Sequence, residues 1–220
     1  MKKSFIAIGL IILIVISIFA LTEFMDDKLT ITNTNEIAKD INANLNINVD
    51  GWLKITKIYE YNGRLAVVAE NVSDTDVEYA LLTVKSGTDS FTFNISALMQ
   101  KTKVLLICNE SVGFDSHDIY TGWKTENVIN FKETPVMNDD KIEICVTDGS
   151  ISIKNISGND ITSDILIYYK QKQDNLLNGS ATHRIRISGL EAGAQTYVKA
   201  DSLNENNCQI IFTEYDDKKV

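Results

Sequence analysis

Asn71-Val72-Ser73-Asp74-Thr75-Asp76-Val77 returns, without a gap, as Asn155-Ile156-Ser157-Gly158-Asn159-Asp160-Ile161. Each copy follows an alternating apolar run: Leu65, Val67 and Ala69 before the first, Ile151 and Ile153 before the second. Each run begins just after Asn62-Gly63 or Asp148-Gly149, residues that tolerate the positive φ angles of a two-residue β-hairpin turn. Downstream, Ala80 to Val84 is answered by Asp164 to Tyr168. After an eight-residue insertion in the second copy, Phe93-Asn94-Ile95-Ser96-Ala97-Leu98 is answered by Ile185-Arg186-Ile187-Ser188-Gly189-Leu190. Four matches in the same order argue for a duplicated unit.

Within each unit the pattern is short runs of period two broken by Asn, Ser, Asp and Gly. Asn and Asp at strand ends hydrogen-bond nearby backbone, so Asn-x-Ser-x-x-Asp reads as a turn device that needs no ligand. Strands at intervals of about 8–12 residues without helical periodicity predict an all-β chain of two β-sandwich domains. The first covers 51–133, including a joining segment 112–133, and the second covers 134–216. Phe91, Phe93 and Ile95 share the face expected to be buried; Thr92, Asn94 and Ser96 share the other.

The second unit carries Lys154-Asn155-Ile156-Ser157, the run Ile165-Leu166-Ile167-Tyr168-Tyr169-Lys170, and Gly189-Leu190-Glu191-Ala192-Gly193 before another strand. In these it resembles the FxLYD-type immunoglobulin-like modules of exported bacterial proteins. It is more similar still to uncharacterised membrane-anchored clostridial proteins with two such units, which have Tyr where this chain has His183 in Thr182-His183-Arg184-Ile185-Arg186-Ile187. The resemblance covers most of 52–214, more firmly in the second unit. It implies two tandem immunoglobulin-like sandwiches outside the cytoplasm, and no functional residues.

The N-terminus supports that location. Nineteen uncharged residues separate Lys3 from Glu23. As a helix they would make a rod of about 28 Å, enough for a hydrocarbon core of ~30 Å. Lys2 and Lys3 on one flank and Glu23, Asp26 and Asp27 on the other orient the start inward. Residues 1–21 are thus expected to be a transmembrane signal-anchor, contacting the membrane through 5–21. The polar, Asn-rich 22–50 is expected to be a stalk, with a weak helical window from Glu36 to Ile41. The alternative is cleavage after Ala20 and secretion, although Ile18 is not the small residue preferred two positions earlier. No Cys follows the apolar run, which argues against a lipid-modified start.

The chain carries −9, and without Lys2 and Lys3 its remainder is more acidic still. Phosphate backbones are repelled, so nucleic acid is a poor partner. Lys outnumbers Arg eighteen to three and Pro occurs once, at Pro135, a bias of AT-rich bacterial genomes. Five Asn-x-Ser sites (Asn71, Asn94, Asn109, Asn155 and Asn178) then read as structural rather than glycosylated. The three Cys leave two readings for Cys145 and Cys208: one bridge in the second unit, or reduced residues in strands.

Catalytic chemistry finds little support. The two His are His117, in Asp115-Ser116-His117-Asp118, and His183, which shares strand parity with Ile185 and Ile187 and so reads as a packed or half-buried structural residue. Sequence neighbours cannot form a triad, whose members converge from separate elements. Gly-x-Ser-x-Gly, His-Glu-x-x-His, Cys-x-x-Cys and phosphate-binding Gly loops are missing. No cofactor is expected. Asp74 with Asp76, Asn159 with Asp160, and Asn138-Asp139-Asp140 are oxygen-rich turns that keep calcium open, but none fits a calcium-loop pattern.

Two features are candidates for partner contact. Arg184 and Arg186 project from one strand face, either toward an anion or to neutralise neighbouring acids. The join brings Phe114, Tyr120 and Trp123, as a contact surface or as packing between units, and Asn127 to Lys132 alternates like an edge strand. The expectation is a non-catalytic binding or scaffold protein of the bacterial envelope, docking another envelope protein. A cell-wall-acting enzyme, or its polymer-binding module, is the alternative.

Overall fold

A computed structural model describes residues 45–111, 120–137, 140–173, 175–200 and 203–216. The apolar run 5–21, most of the stalk, His117 and Phe114 lie outside them. The described residues form fourteen strands and no helix, as the alternation requires.

In the first half, β1 (Ile47–Val49), β2 (Leu53–Tyr61), β3 (Arg64–Asn71) and β6 (Lys103–Ile107) pair in the order β1-β2-β3-β6. A second sheet runs β5-β4-β7, from β5 (Asp89–Leu98), β4 (Val77–Ser86) and β7 (Tyr120–Asn130). One core cluster draws on both, with Leu53, Leu65, Val67 and Leu106 from the first and Leu82, Phe93, Ile95 and Tyr120 from the second. Phe91, Phe93 and Ile95 are buried as the alternation predicts, and their neighbours Thr92, Asn94 and Ser96 are half-buried.

The second half repeats the order. Strands β8 (Ile142–Thr147), β9 (Ser150–Asn155) and β13 (Gln195–Lys199) run β8-β9-β13, matching β2-β3-β6. Strands β12 (His183–Leu190), β10 (Ile161–Gln173) and β14 (Cys208–Asp216) run β12-β10-β14, matching β5-β4-β7. A second cluster draws Ile142, Ile151 and Ile153 from one sheet and Ile165, Ile167 and Ile187 from the other. The hairpin at Asn62-Gly63, with φ of 51° and 74°, is the two-residue turn that the right-handed strand twist favours.

The eight-residue insertion makes the halves unequal. Its short strand β11 (Leu176–Asn178) continues antiparallel from β10 and pairs in parallel with β6, Leu177 opposite Val104 and Asn178 opposite Leu105. A hydrogen-bonded path thus runs β1-β2-β3-β6-β11-β10-β12 through both halves. Leu177 is buried in the first core although it comes from the second repeat.

One strand differs from expectation. The sequence of the join predicts an edge strand only from Asn127, after its aromatic residues, yet β7 starts at Tyr120. Between the pairs Thr83–Lys124 and Lys85–Thr121, two residues of β7, Gly122 and Trp123, face the single Val84 of β4, and Gly122 at the bulge has φ 63°. Such a bulge moves the inward side chains from one parity to the other, Tyr120 before it and Trp123 after, so no period-two signal survives.

Candidate functional site

The repeated motif is spent on structure, and the two copies do it alike. Asn71 is fully buried; its Nδ2 donates to Thr75 O at 2.8 Å and Leu98 O at 3.2 Å, while its Oδ1 accepts from Ser73 N at 3.0 Å and Ser73 Oγ at 2.7 Å. Asn155, also fully buried, donates to Asn159 O at 2.7 Å and Leu190 O at 2.9 Å and accepts from Ser157 N at 2.9 Å and Ser157 Oγ at 2.8 Å. The closing acid also matches: Asp76 Oδ1 accepts from Gln100 N at 2.7 Å, and Asp160 Oδ1 from Ala192 N at 2.8 Å. Each Asn ties the end of one sheet to the chain leaving the other.

The acids of the two described oxygen-rich turns, Asp74 with Asp76 and Asp160, have partners of their own, while Asn138 and Asp139 lie outside the described residues. Asp74 pairs with Lys101 at 2.8 Å, which holds its carboxyl below the usual carboxylate range. Among the described residues, no three His, Cys, Asp or Glu side chains converge as metal ligands. Cys108, Cys145 and Cys208 are free thiols, with Cys145 exposed and Cys208 buried, so the bridge considered for the last two is not formed. Burial, with Glu110 accepting from the thiol at 2.9 Å, pushes Cys108 up to about 12.

His183 is more open than the packed or half-buried role expected of it. It is exposed at the first position of β12, and its ring stacks on Tyr169 at 5.1 Å, a residue that itself packs against the second core. Arg186 donates to Asp164 at 2.6 Å and to Asp216 at 2.9 Å, so it bridges two acids, and Asp164 first among them holds the guanidinium protonated. Arg184 is exposed and its charge acts on the Tyr168 hydroxyl, which donates to Glu214 at 2.9 Å. Tyr120 is 6 % exposed and tilts against Phe91 at 6.2 Å. Trp123 packs partly buried against the first core. Beside it, Trp52 Nε1 donates to Thr125 Oγ1 at 3.1 Å, and Thr125 is held by Asp50 through its amide at 2.6 Å and its hydroxyl at 2.7 Å.

The residues that join the halves escaped sequence reasoning. Lys170 is 1 % exposed, and its ammonium donates to Ser96 O at 2.7 Å, Asn178 O at 3.0 Å and Ala181 O at 3.1 Å. Burial pulls its pKa down to about 7, against the three carbonyls, which favour the charged form. Gly179 donates to Leu105 O at 2.8 Å and accepts from Ser96 N at 2.9 Å, touching both sheets of the first half. A Cβ there would lie 2.5 Å from Val104 Cγ2 and 2.6 Å from Leu106 Cδ2, so only glycine fits. The one sequence signal was the insertion itself, a run with no counterpart in the first unit.

Next to this junction is a groove of about 360 Å³ lined from both halves. Phe212 stacks on Tyr168 at 4.3 Å and meets Phe131 edge-on at 5.4 Å. Tyr79, 37 % exposed, and the carboxylates of Glu78 and Glu214 complete it. Beyond Glu214 a second hollow of about 480 Å³ lies between β14 and residues 133–136, where Thr213 N donates to Val136 O at 2.9 Å. The groove thus combines an aromatic lining with two acidic side chains. No model of a known protein family matches the chain, and no curated protein matches it either.

Proposed function

We propose that this chain is a non-catalytic docking protein of the bacterial envelope. Residues 5–21 hold it in the membrane with its N-terminus inside, and two immunoglobulin-like β-sandwiches stand outside as a rigid pair. The repeated strand orders and the two cores, each lined by two sheets, support the sandwich reading. The lysine-rich, Pro-poor composition and the apolar run behind Lys2-Lys3 support the location.

The observation that carries docking is the junction. Parallel pairing of β11 with β6, the Lys170 ammonium on three carbonyls and the close seat of Gly179 fix one half against the other. Independent modules on a string need no such device; a surface composed from both halves does, because its shape exists only while they hold one orientation. The groove lined by Tyr79, Phe131, Tyr168 and Phe212 is such a surface.

The test is crosslinking of intact cells of the producing bacterium, recovery of the tagged full-length chain, and mass spectrometry of what accompanies it. One envelope protein enriched over an anchor-only control is the expected result. Recovery of wall polymer in its place would reject docking in favour of polymer binding.

A further inference from the structure

The two hollows adjoin along the outer side of β14 and share Glu214. Their lining combines exposed aromatic surface, at Tyr79, with carboxylates from three separate segments: Glu78 on β4, Glu133 in the join and Glu214 on β14. Among the described residues no lysine or arginine lies within ion-pairing distance of Glu78, Glu133 or Glu214, whereas other acids, such as Asp74, Asp164 and Asp216, are paired. Arg184, beside the Tyr168 hydroxyl, offsets only part of this charge.

Carboxylates from three segments, with Arg184 and the Asp216-bound Arg186 offsetting only part of their charge, are set around aromatic rings and favour one ligand chemistry. A cation on an apolar stem lays its methylenes on the rings, gains from the ring quadrupole and brings its charge to the acids. A neutral sugar would use the rings and leave the carboxylates unanswered. An anion would be repelled by them and by a chain of net charge −9. We infer that this strip receives an extended basic segment of a partner protein, a lysine or arginine side chain lying over Tyr79 with its charge at Glu78 and Glu214. Glu133 in the second hollow takes a further basic residue of the same segment. An extended segment fits because the two hollows follow one another along a strand rather than forming one closed cavity.

This inference rests on the docking reading, and the experiment separates the two. The full chain, isotope-labelled and held in detergent micelles, is titrated with a twelve-residue Gly/Ser peptide carrying two lysines, and with the same peptide carrying glutamines. The lysine peptide is expected to shift the amide signals of Tyr79, Phe131 and Phe212. The substitutions Glu78→Gln and Glu214→Gln together should weaken it at least tenfold, with Glu60→Gln, on β2, as an unaffected control. Glutamine keeps an acceptor for the Tyr168 hydroxyl; should the double variant still misfold, Tyr79→Ala must weaken binding severalfold. Equal shifts from the glutamine peptide overturn the inference. So do shifts spread over the whole acidic surface that survive the double substitution. A cellular partner that binds the double variant undiminished overturns the strip and leaves docking standing; specific lysine-peptide binding with no partner recovered does the reverse.

Discussion

Replacing Asn71 or Asn155 by alanine should cost about the same in each half, and the cost follows from the bonds lost. The Asn71 side chain makes four hydrogen bonds, two donated to carbonyls and two accepted from Ser73, in a fully buried site. Net contributions of about 1 kcal/mol per bond give roughly 4 kcal/mol, and a buried carbonyl left without its donor pushes the figure no lower. Solvent reaching the Ser73 hydroxyl recovers part of this, so we expect a loss of about 3 kcal/mol. Asn155 makes the equivalent four bonds with the Ser157 turn and Leu190 O and shares its Nδ2 with Glu191 O at 3.2 Å, so its alanine variant should fall within about 1 kcal/mol of that figure. No hydrogen-bond partner is shared between the networks, so the double variant should show the sum to within about 0.5 kcal/mol. Urea unfolding of the purified full chain, followed by circular dichroism, measures all three. Losses below about 1 kcal/mol for either Asn would mean that the motif decorates the turn rather than tying the sheets. A large loss in one half alone would refute the equivalence of the copies.

Gly179→Val drives side-chain atoms into Val104 and Leu106 and should cost about 1–3 kcal/mol. Hydrogen exchange should quicken at the Ser96 and Gly179 amides, which bridge the halves, and stay unchanged at Ser157. Lys170 gives the fold a pH dependence of definite sign. Its folded pKa is depressed to about 7, so between pH 7 and its unfolded value near 10.4 the unfolded chain binds the extra proton and stability rises with pH, by at most about 1.4 kcal/mol per unit. Lys170→Met should flatten that slope, and urea midpoints at pH 6, 8 and 9.5 read it. Iodoacetamide at pH 8 should label exposed Cys145 alone in the native chain, and all three thiols in urea, as peptide mass spectrometry would show.

Much of the fold was legible because period two and turn chemistry are local signals. Phe91, Phe93 and Ile95 announced their buried face, and Asn71 and Asn155 announced a self-contained turn whose bonds mostly close within a few residues. The bulge at Gly122 erased the same signal in β7, since one extra residue inverts the alternation. His183 kept the inward parity of its strand and still came out exposed, stacked on Tyr169, because parity gives a side and not a depth of burial.

By itself, the sequence determined an all-β chain, its duplicated strand pattern, the residues that turn it and the surplus of acid on its surface. The tertiary structure alone decided how the halves join and which acids meet which rings. Lys170 sits six residues beyond Asp164 in an ordinary strand, and nothing in its neighbours shows that its ammonium will be buried on carbonyls of β5, of the β11 strand and of Ala181. Glu78, Glu133 and Glu214 are likewise far apart along the chain. Glu78 and Glu214 belong to halves joined where β6 accepts β11, segments some seventy residues apart, and Glu133 is brought to β14 by the bridge between Val136 and Thr213; such long-range closure leaves no periodic trace in the sequence.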